Sequence, residues 1–180
     1  AAMFMMTAKT IIKGYAEAGR AVDEVFTVAN AKLCESNEAG MFVTAWMGVL
    51  DTTTGKIEFA NAGHNPPLVR HADGSFEFLK SKPGFILAGM EGLKYRKNEL
   101  VLSAGDEIYL YTDGVTEATN AENELYGEKR LVKLLDSLHG LSGEDICRAV
   151  KADIDAFAWD APQFDDITML YLKYNGGSEK

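Results

Sequence analysis

The run Phe42-Val43-Thr44-Ala45-Trp46-Met47-Gly48-Val49-Leu50, then Asp51-Thr52-Thr53-Thr54-Gly55, then Lys56-Ile57-Glu58-Phe59-Ala60-Asn61, decides the fold class. The first stretch is apolar and rich in β-formers, which predicts a strand covered on both faces. The second has the residue types of a turn. The third alternates polar and apolar, the pattern of a half-buried strand. Strand, short turn and strand make a hairpin, and a hairpin is antiparallel by construction.

Upstream, Phe4, Ala8, Ile11, Ile12 and Tyr15 recur at helical spacing, so residues 3–17 read as an amphipathic helix that Gly19 stops. Val22, Val25, Phe26, Ala29 and Leu33 mark a second helix, with Asp23 and Glu24 in its first turn, where carboxylates suit the helix dipole. Downstream, Pro66-Pro67 forces extended backbone before Leu68-Val69-Arg70. Asp73-Gly74 signals a tight turn, and Phe76 and Phe78 follow at strand period. Residues 81–92, rich in Gly and Pro, read as loop. Leu100 and Leu102, then Ala104-Gly105-Asp106, then Ile108 and Leu110, predict another hairpin. Leu131, Leu134, Leu135 and Leu138 predict one helix, and Ile146, Val150, Ile154 and Phe157 another. Ser142 is the N-cap expected for the latter, with Asp145 three places on. Ile167-Thr168-Met169-Leu170-Tyr171-Leu172 predicts a final buried strand. Two helices, a block of hairpins, two helices and a strand spell α+β, in one domain over residues 1–174 with a polar tail at 175–180.

The chain has 180 residues, 47% hydrophobic and 25% charged, enough for one core. Lys and Arg total 18 against 27 Asp and Glu, a formal net charge of −9. So acidic a surface repels phosphate backbones, and the cations are scattered along the sequence, so a nucleic-acid partner is not expected. Cys34 and Cys147 share no metal-binding spacing, which predicts reduced thiols in a cytoplasmic setting. No apolar run is long enough to insert in a membrane. The opening Ala1-Ala2, in place of Met, leads us to expect a piece of a longer chain.

The sequence has no G-x-S-x-G elbow, no H-E-x-x-H and no phosphate-binding Gly-rich loop ending in Lys-Ser or Lys-Thr, so candidate chemistry falls to carboxylates. In Tyr109-Leu110-Tyr111-Thr112-Asp113-Gly114-Val115 an Asp ends an apolar strand, and in Phe164-Asp165-Asp166-Ile167-Thr168 paired acids open one. Oxygen ligands at strand ends suit hard cations such as Mg²⁺ or Mn²⁺. The same strings also read as a plain Asp-Gly turn and a polar loop end. Asn61-Ala62-Gly63-His64-Asn65-Pro66-Pro67 is a stiff polar loop. His64 there could meet a phosphate or carry a proton, or simply satisfy loop backbone.

These strings in this order, with Met41-Phe42-Val43-Thr44-Ala45 ahead of them and Gly105-Asp106 leading into Thr112-Asp113-Gly114-Val115-Thr116-Glu117-Ala118, resemble the metal-dependent serine/threonine protein phosphatases (the PPM family). The bacterial branch typified by the stage II sporulation phosphatase and the stress-response sigma-factor regulators is the one resembled, over essentially the whole chain. The resemblance implies an α-β-β-α sandwich of two antiparallel sheets flanked by helices. It implies two Mn²⁺ or Mg²⁺ ions whose bridging water attacks a phosphoserine or phosphothreonine, with no catalytic side chain beyond that metal-bound water. Asp113 and Asp165 would be metal ligands, Asp166 a lesser one, Gly114 part of the metal-site backbone, and His64 and Asn65 substrate or loop residues. The substrate would be a phosphorylated regulatory protein of the anti-anti-sigma type.

Two further acidic motifs of the family, upstream of its first helix, have no counterpart here. The expectation is therefore a domain lacking its N-terminal strands, with weak or absent metal binding and impaired activity. Exposed sheet edges or the leading helices would then invite a homodimer. The competing reading is a non-catalytic protein-binding module, a pseudophosphatase.

Overall fold

The computed structural model describes residues 1–35, 37–72, 74–163 and 165–177. Of the expected features, Asp73 of the turn, Phe164 of the acidic string and residues 178–180 of the tail lie outside the described residues. The chain forms two compact units. One comprises residues 1–64 and 81–101, the other residues 65–80 and 102–180.

In the first unit, helices α1 (Ala2–Glu17) and α2 (Val22–Cys34) accompany an antiparallel sheet of β1 (Ala45–Leu50), β2 (Lys56–Ala62) and β5 (Asn98–Val101), in the order β1-β2-β5. The expected hairpin is there. Ala45 lies opposite Ala62 and Leu50 opposite Ile57, and Asp51 closes the turn by accepting from the Thr53 amide at 2.9 Å. Val22, Val25, Phe26 and Leu33 of α2 meet Ala60 and Ala62 of β2 in a core that also takes Ala8, Leu87 and Tyr95. Small residues on β2 let the helix lie close to the sheet.

In the second unit, β3 (Leu68–Arg70), β4 (Glu77–Phe78), β6 (Glu107–Tyr111) and β7 (Met169–Lys173) form an antiparallel sheet in the order β4-β3-β6-β7. Helices α4 (Glu128–Ser137) and α5 (Gly143–Ala158) supply Leu131, Leu135, Ile146, Val150 and Ile154 to a core built on Leu68, Tyr109 and Tyr111. The Ser142 cap forms as expected, its Oγ accepting from the Asp145 amide at 3.2 Å and donating to Asp145 Oδ2 at 2.6 Å.

Four sequence expectations need correction. The stretch 42–50 is not covered on both faces: β1 is an outer strand, and Val49 is 54% exposed. The last strand starts at Met169 rather than Ile167 and is an outer strand too, with Leu170 exposed. In both cases apolar content looked like burial, but edge strands carry apolar residues as well. Residues 100–110 are not a hairpin either. β5 pairs with β2, and β6 with β3 and β7. Finally, Asp113-Gly114 is not a bare turn but opens a one-turn helix, α3 (Asp113–Thr116).

The segment between β5 and β6 is organised by Asp106. Its buried carboxylate accepts from the Ser103 amide at 2.9 Å and the Ala72 amide at 3.0 Å, and it meets His71 Nδ1 at 2.8 Å. Burial pushes this carboxyl up, but the two amides and His71 together outweigh burial and hold it below its ordinary range. A carboxyl depressed on folding stabilises fully above its unfolded pKa and loses that contribution as pH falls through its folded one. Wild-type protein should therefore lose thermal stability more steeply than Asp106→Asn below about pH 4. Melting curves taken down to about pH 2 check this; parallel pH profiles for the two proteins would refute it.

Candidate active site

Strand β6 ends at Tyr111, and Thr112 then takes an extended conformation as the N-cap of α3. A capping threonine ordinarily accepts from an amide of its own helix. Here the hydroxyl turns away. Thr112 Oγ1 donates to the Asp166 carbonyl at 2.8 Å and accepts from the Thr168 amide at 2.9 Å, while the Thr112 amide donates to the Thr168 carbonyl at 3.0 Å. Three hydrogen bonds thus lash the Asp-Gly string to the Asp-Asp string across 54 to 56 residues of sequence.

Gly114 makes that approach possible. A Cβ at this position would lie 2.6 Å from the Asp166 carbonyl oxygen and 3.3 Å from that of Asp165. Side chains essentially never come so close, so no other residue fits without moving backbone.

Asp113 is half-buried, and its Oδ1 accepts from the Gly114 amide at 3.0 Å. Asp165 is exposed, and its Oδ1 accepts from the Asp166 amide at 2.6 Å; Asp166 is exposed as well. No described residue bonds to Oδ2 of Asp113 or Asp165. Each acid therefore has one oxygen fixed by a local amide and one available to a ligand. Burial pushes the phenol of the adjoining Tyr111 up to about 12.

A pocket of about 410 Å³ opens beside the two strings, lined by Gly114 and Asp165 together with Glu117, Ile154, Trp159 and Gln163. Trp159 is 81% exposed at its rim, and the backbone there has φ +51°.

Mg²⁺ and Mn²⁺ take oxygen donors, and carboxylates meet that requirement. The set is partial, however: among the described residues no group of three or more His, Cys, Asp or Glu converges as a metal site. His64 belongs to the first unit, where Thr44 Oγ1 lies 3.1 Å from its Nδ1 and Asn61 clamps its backbone. Asn61 Oδ1 accepts from the His64 amide at 2.8 Å, and Asn61 Nδ2 donates to the His64 carbonyl at 2.9 Å. Asn65, half-buried, begins the second unit. Sequence reasoning found the acids and Gly114 but passed over Thr112, whose position just before an Asp-Gly that ends a strand is the one available signal.

Residues 1–175 match the family described as Stage II sporulation protein E (SpoIIE). The chain belongs to the SpoIIE family. Among similar proteins, the phosphoserine phosphatase RsbU of Bacillus subtilis is 26% identical over 174 residues, which is 96% of this chain and 51% of RsbU. Protein IcfG of Synechocystis sp. is 31% identical over 141 residues, 78% of this chain and 22% of IcfG. The chain thus spans about half the length of RsbU or less than a quarter of that of IcfG. The solved SiaA-PP2C domain of Pseudomonas aeruginosa superimposes with a TM-score of 0.81 at 21% identity, covering 96% of this chain and 70% of that one. This SpoIIE-family chain therefore has a PP2C-type fold: two antiparallel sheets with accompanying helices. Among the described residues no helix is long and apolar enough to cross a membrane.

Proposed function

We propose that the chain forms part of a metal-dependent phosphoserine/phosphothreonine protein phosphatase, with Asp113 and Asp165 as metal ligands and Asp166 as an auxiliary one. The observation that carries this reading is the fit of Gly114 against the Asp165–Asp166 backbone, which puts two acid-bearing strings at one place. The phosphoserine phosphatase activity in the name of RsbU supports the reaction class.

Mn²⁺ or Mg²⁺, two per intact site, would supply an activated water and neutralise phosphoryl charge. The chain's own part is to orient. Thr112 fixes the second string, Gly114 lets it close, and the amides of Gly114 and Asp166 set the rotation of the Asp113 and Asp165 carboxylates. Two or three carboxylates underfill an octahedral ion pair, so these 180 residues alone should hold metal weakly and turn over slowly.

The proposed substrate is a phosphorylated regulatory protein of the anti-anti-sigma type, met in the cytoplasm. Met3, Met5 and Met6 of α1 are 83%, 56% and 69% exposed, which supports the leading helices as a homodimer contact. The second reading, which the same exposed methionines of α1 favour as a partner surface, is a protein-binding module without catalysis.

The two part in one assay. The natural protein, with whatever flanks these residues in its gene, is given a phosphoserine protein with Mn²⁺, with chelator, and with chelator followed by excess Mn²⁺. Phosphate release that disappears and returns is expected; none under any condition would leave the binding module standing.

A further inference from the structure

Lysines and arginines scattered in sequence need not be scattered in space. Lys82, Lys94 and Arg96 line one pocket of about 270 Å³ in the first unit, together with Asn61, Pro83, Gly84 and Tyr95. All three cations are exposed, and none forms an ion pair among the described residues. The neighbouring lysines differ. Lys56 is held by Glu58 and Glu99, and Lys97 by Glu58. In a chain whose acids outnumber its bases 27 to 18, three cations around one concavity, unpaired among the described residues, are a concentration of positive charge.

The walls of the pocket are fixed. Tyr95 is 6% exposed, and its hydroxyl donates to the Ile86 carbonyl at 3.2 Å. Its ring meets Phe26 edge-on with centroids 5.7 Å apart, and its amide donates to Thr27 Oγ1 at 3.2 Å. Pinning Tyr95 also anchors the backbone of Lys94 and Arg96 on either side. Opposite, the Gly84 amide donates to the Asn61 carbonyl at 2.8 Å, and a Cβ on Gly84 would lie 2.8 Å from the Tyr95 ring. Pinned walls spare the ligand much of the ordering cost of binding.

We propose that this pocket binds a phosphate dianion, with the Arg96 fork and the Lys82 and Lys94 ammonium groups as its donors. Two negative charges against three cations favour phosphate over a single carboxylate, and guanidinium geometry matches a tetrahedral oxyanion. The site does not depend on the phosphatase reading, because it lies wholly in the first unit and needs no metal.

The test is an NMR titration of the natural protein in chelator with inorganic phosphate. A parallel titration uses a phosphoserine peptide and its unphosphorylated twin. Saturable shifts at the amides of Gly84, Tyr95 and Arg96 are expected, weakened at least about tenfold in Lys94→Ala/Arg96→Ala and unaltered in Lys129→Ala/Lys133→Ala, which removes two cations of α4 that do not line the pocket. Unchanged Phe26 and Tyr95 ring signals verify that the double variant is folded. Tighter binding of the phosphopeptide than of free phosphate identifies a protein-borne phosphoryl group as the occupant; equal or weaker binding identifies the free ion. Shifts that never saturate, or a double variant that titrates like the wild type, overturn the site.

Discussion

On the proposed reading, Asp113→Asn should reduce the Mn²⁺-dependent phosphatase rate of the natural protein by at least about 100-fold, since even groups that merely support metal ligands cost about 10- to 100-fold. Its thermal stability should barely move, because the amide oxygen can still accept from Gly114 N and the side-chain shape is kept. Gly114→Ala should lower both. The new Cβ would sit 2.6 Å from the Asp166 carbonyl oxygen, which is backbone and cannot rotate away. Overpacking of this kind costs about 1–3 kcal/mol. The forced retreat of one string from the other also separates Asp113 from Asp165, and displacements of about 1 Å in a reacting site can cost about 100-fold in rate. Gly14→Ala is the control for glycine replacement as such. It lies inside α1 with nothing within 4 Å of its would-be Cβ, so the change should stabilise by about 0.5–1 kcal/mol. Comparing rates and melting temperatures of the three variants separates chemistry from packing. A wild-type rate in Asp113→Asn would remove that carboxylate from the site.

The contrast between Asp113 and Thr112 shows how far the sequence could be read. Asp-Gly at the end of an apolar strand announces itself because an acid and a glycine interrupt the apolar run. Thr112 is silent, since its partners Asp166 and Thr168 are more than 50 residues away and become neighbours only when β7 pairs with β6. The same limit explains the misread segment at 100–110. Leu100, Leu102, Ile108 and Leu110 have the alternation of a hairpin, and local pattern cannot tell pairing between neighbours from pairing of each strand with a distant one. What separates them is Asp106, whose carboxylate accepts from the Ser103 amide beside it and the Ala72 amide far upstream. Helices fared better: the apolar stripes on α2, α4 and α5 are local, and Val25, Leu131 and Ile146 are buried as their spacing requires. Edge strands fared worst. Val49 and Leu170 are apolar and exposed, and composition carries no information about whether a strand has one neighbour or two.

Arg70→Ala should strongly destabilise the second unit. Arg70 and Glu107 face each other across β3 and β6, the two inner strands of the sheet, and their side chains are only 3% and 5% exposed. Arg70 Nη2 bonds to Glu107 Oε2, and its guanidinium lies 4.6 Å from the centroid of the Phe76 ring. Tyr171, on β7, shares the cluster. Burial first, and then its hydrogen bond to Glu107, push its phenol well above the ordinary range. Truncating the arginine leaves a carboxylate in a nearly dry sheet, with Lys173 at 3.8 Å as its remaining ion-pair partner among the described residues. Breaking a buried pair this way typically costs about 3–5 kcal/mol. Replacing both partners with apolar residues of similar volume is a different experiment, because it removes the desolvation penalty along with the attraction. Arg70→Met/Glu107→Leu should therefore recover most of the loss. Because the chain has two compact units, a global melt could blur the effect, so hydrogen exchange at the Ile108 and Tyr109 amides is the readout to use. Protection there should fall sharply in the single variant and return in the double. A single variant within about 1 kcal/mol of wild type would mean that water reaches the pair and that its charges are worth no more than those of a surface bridge.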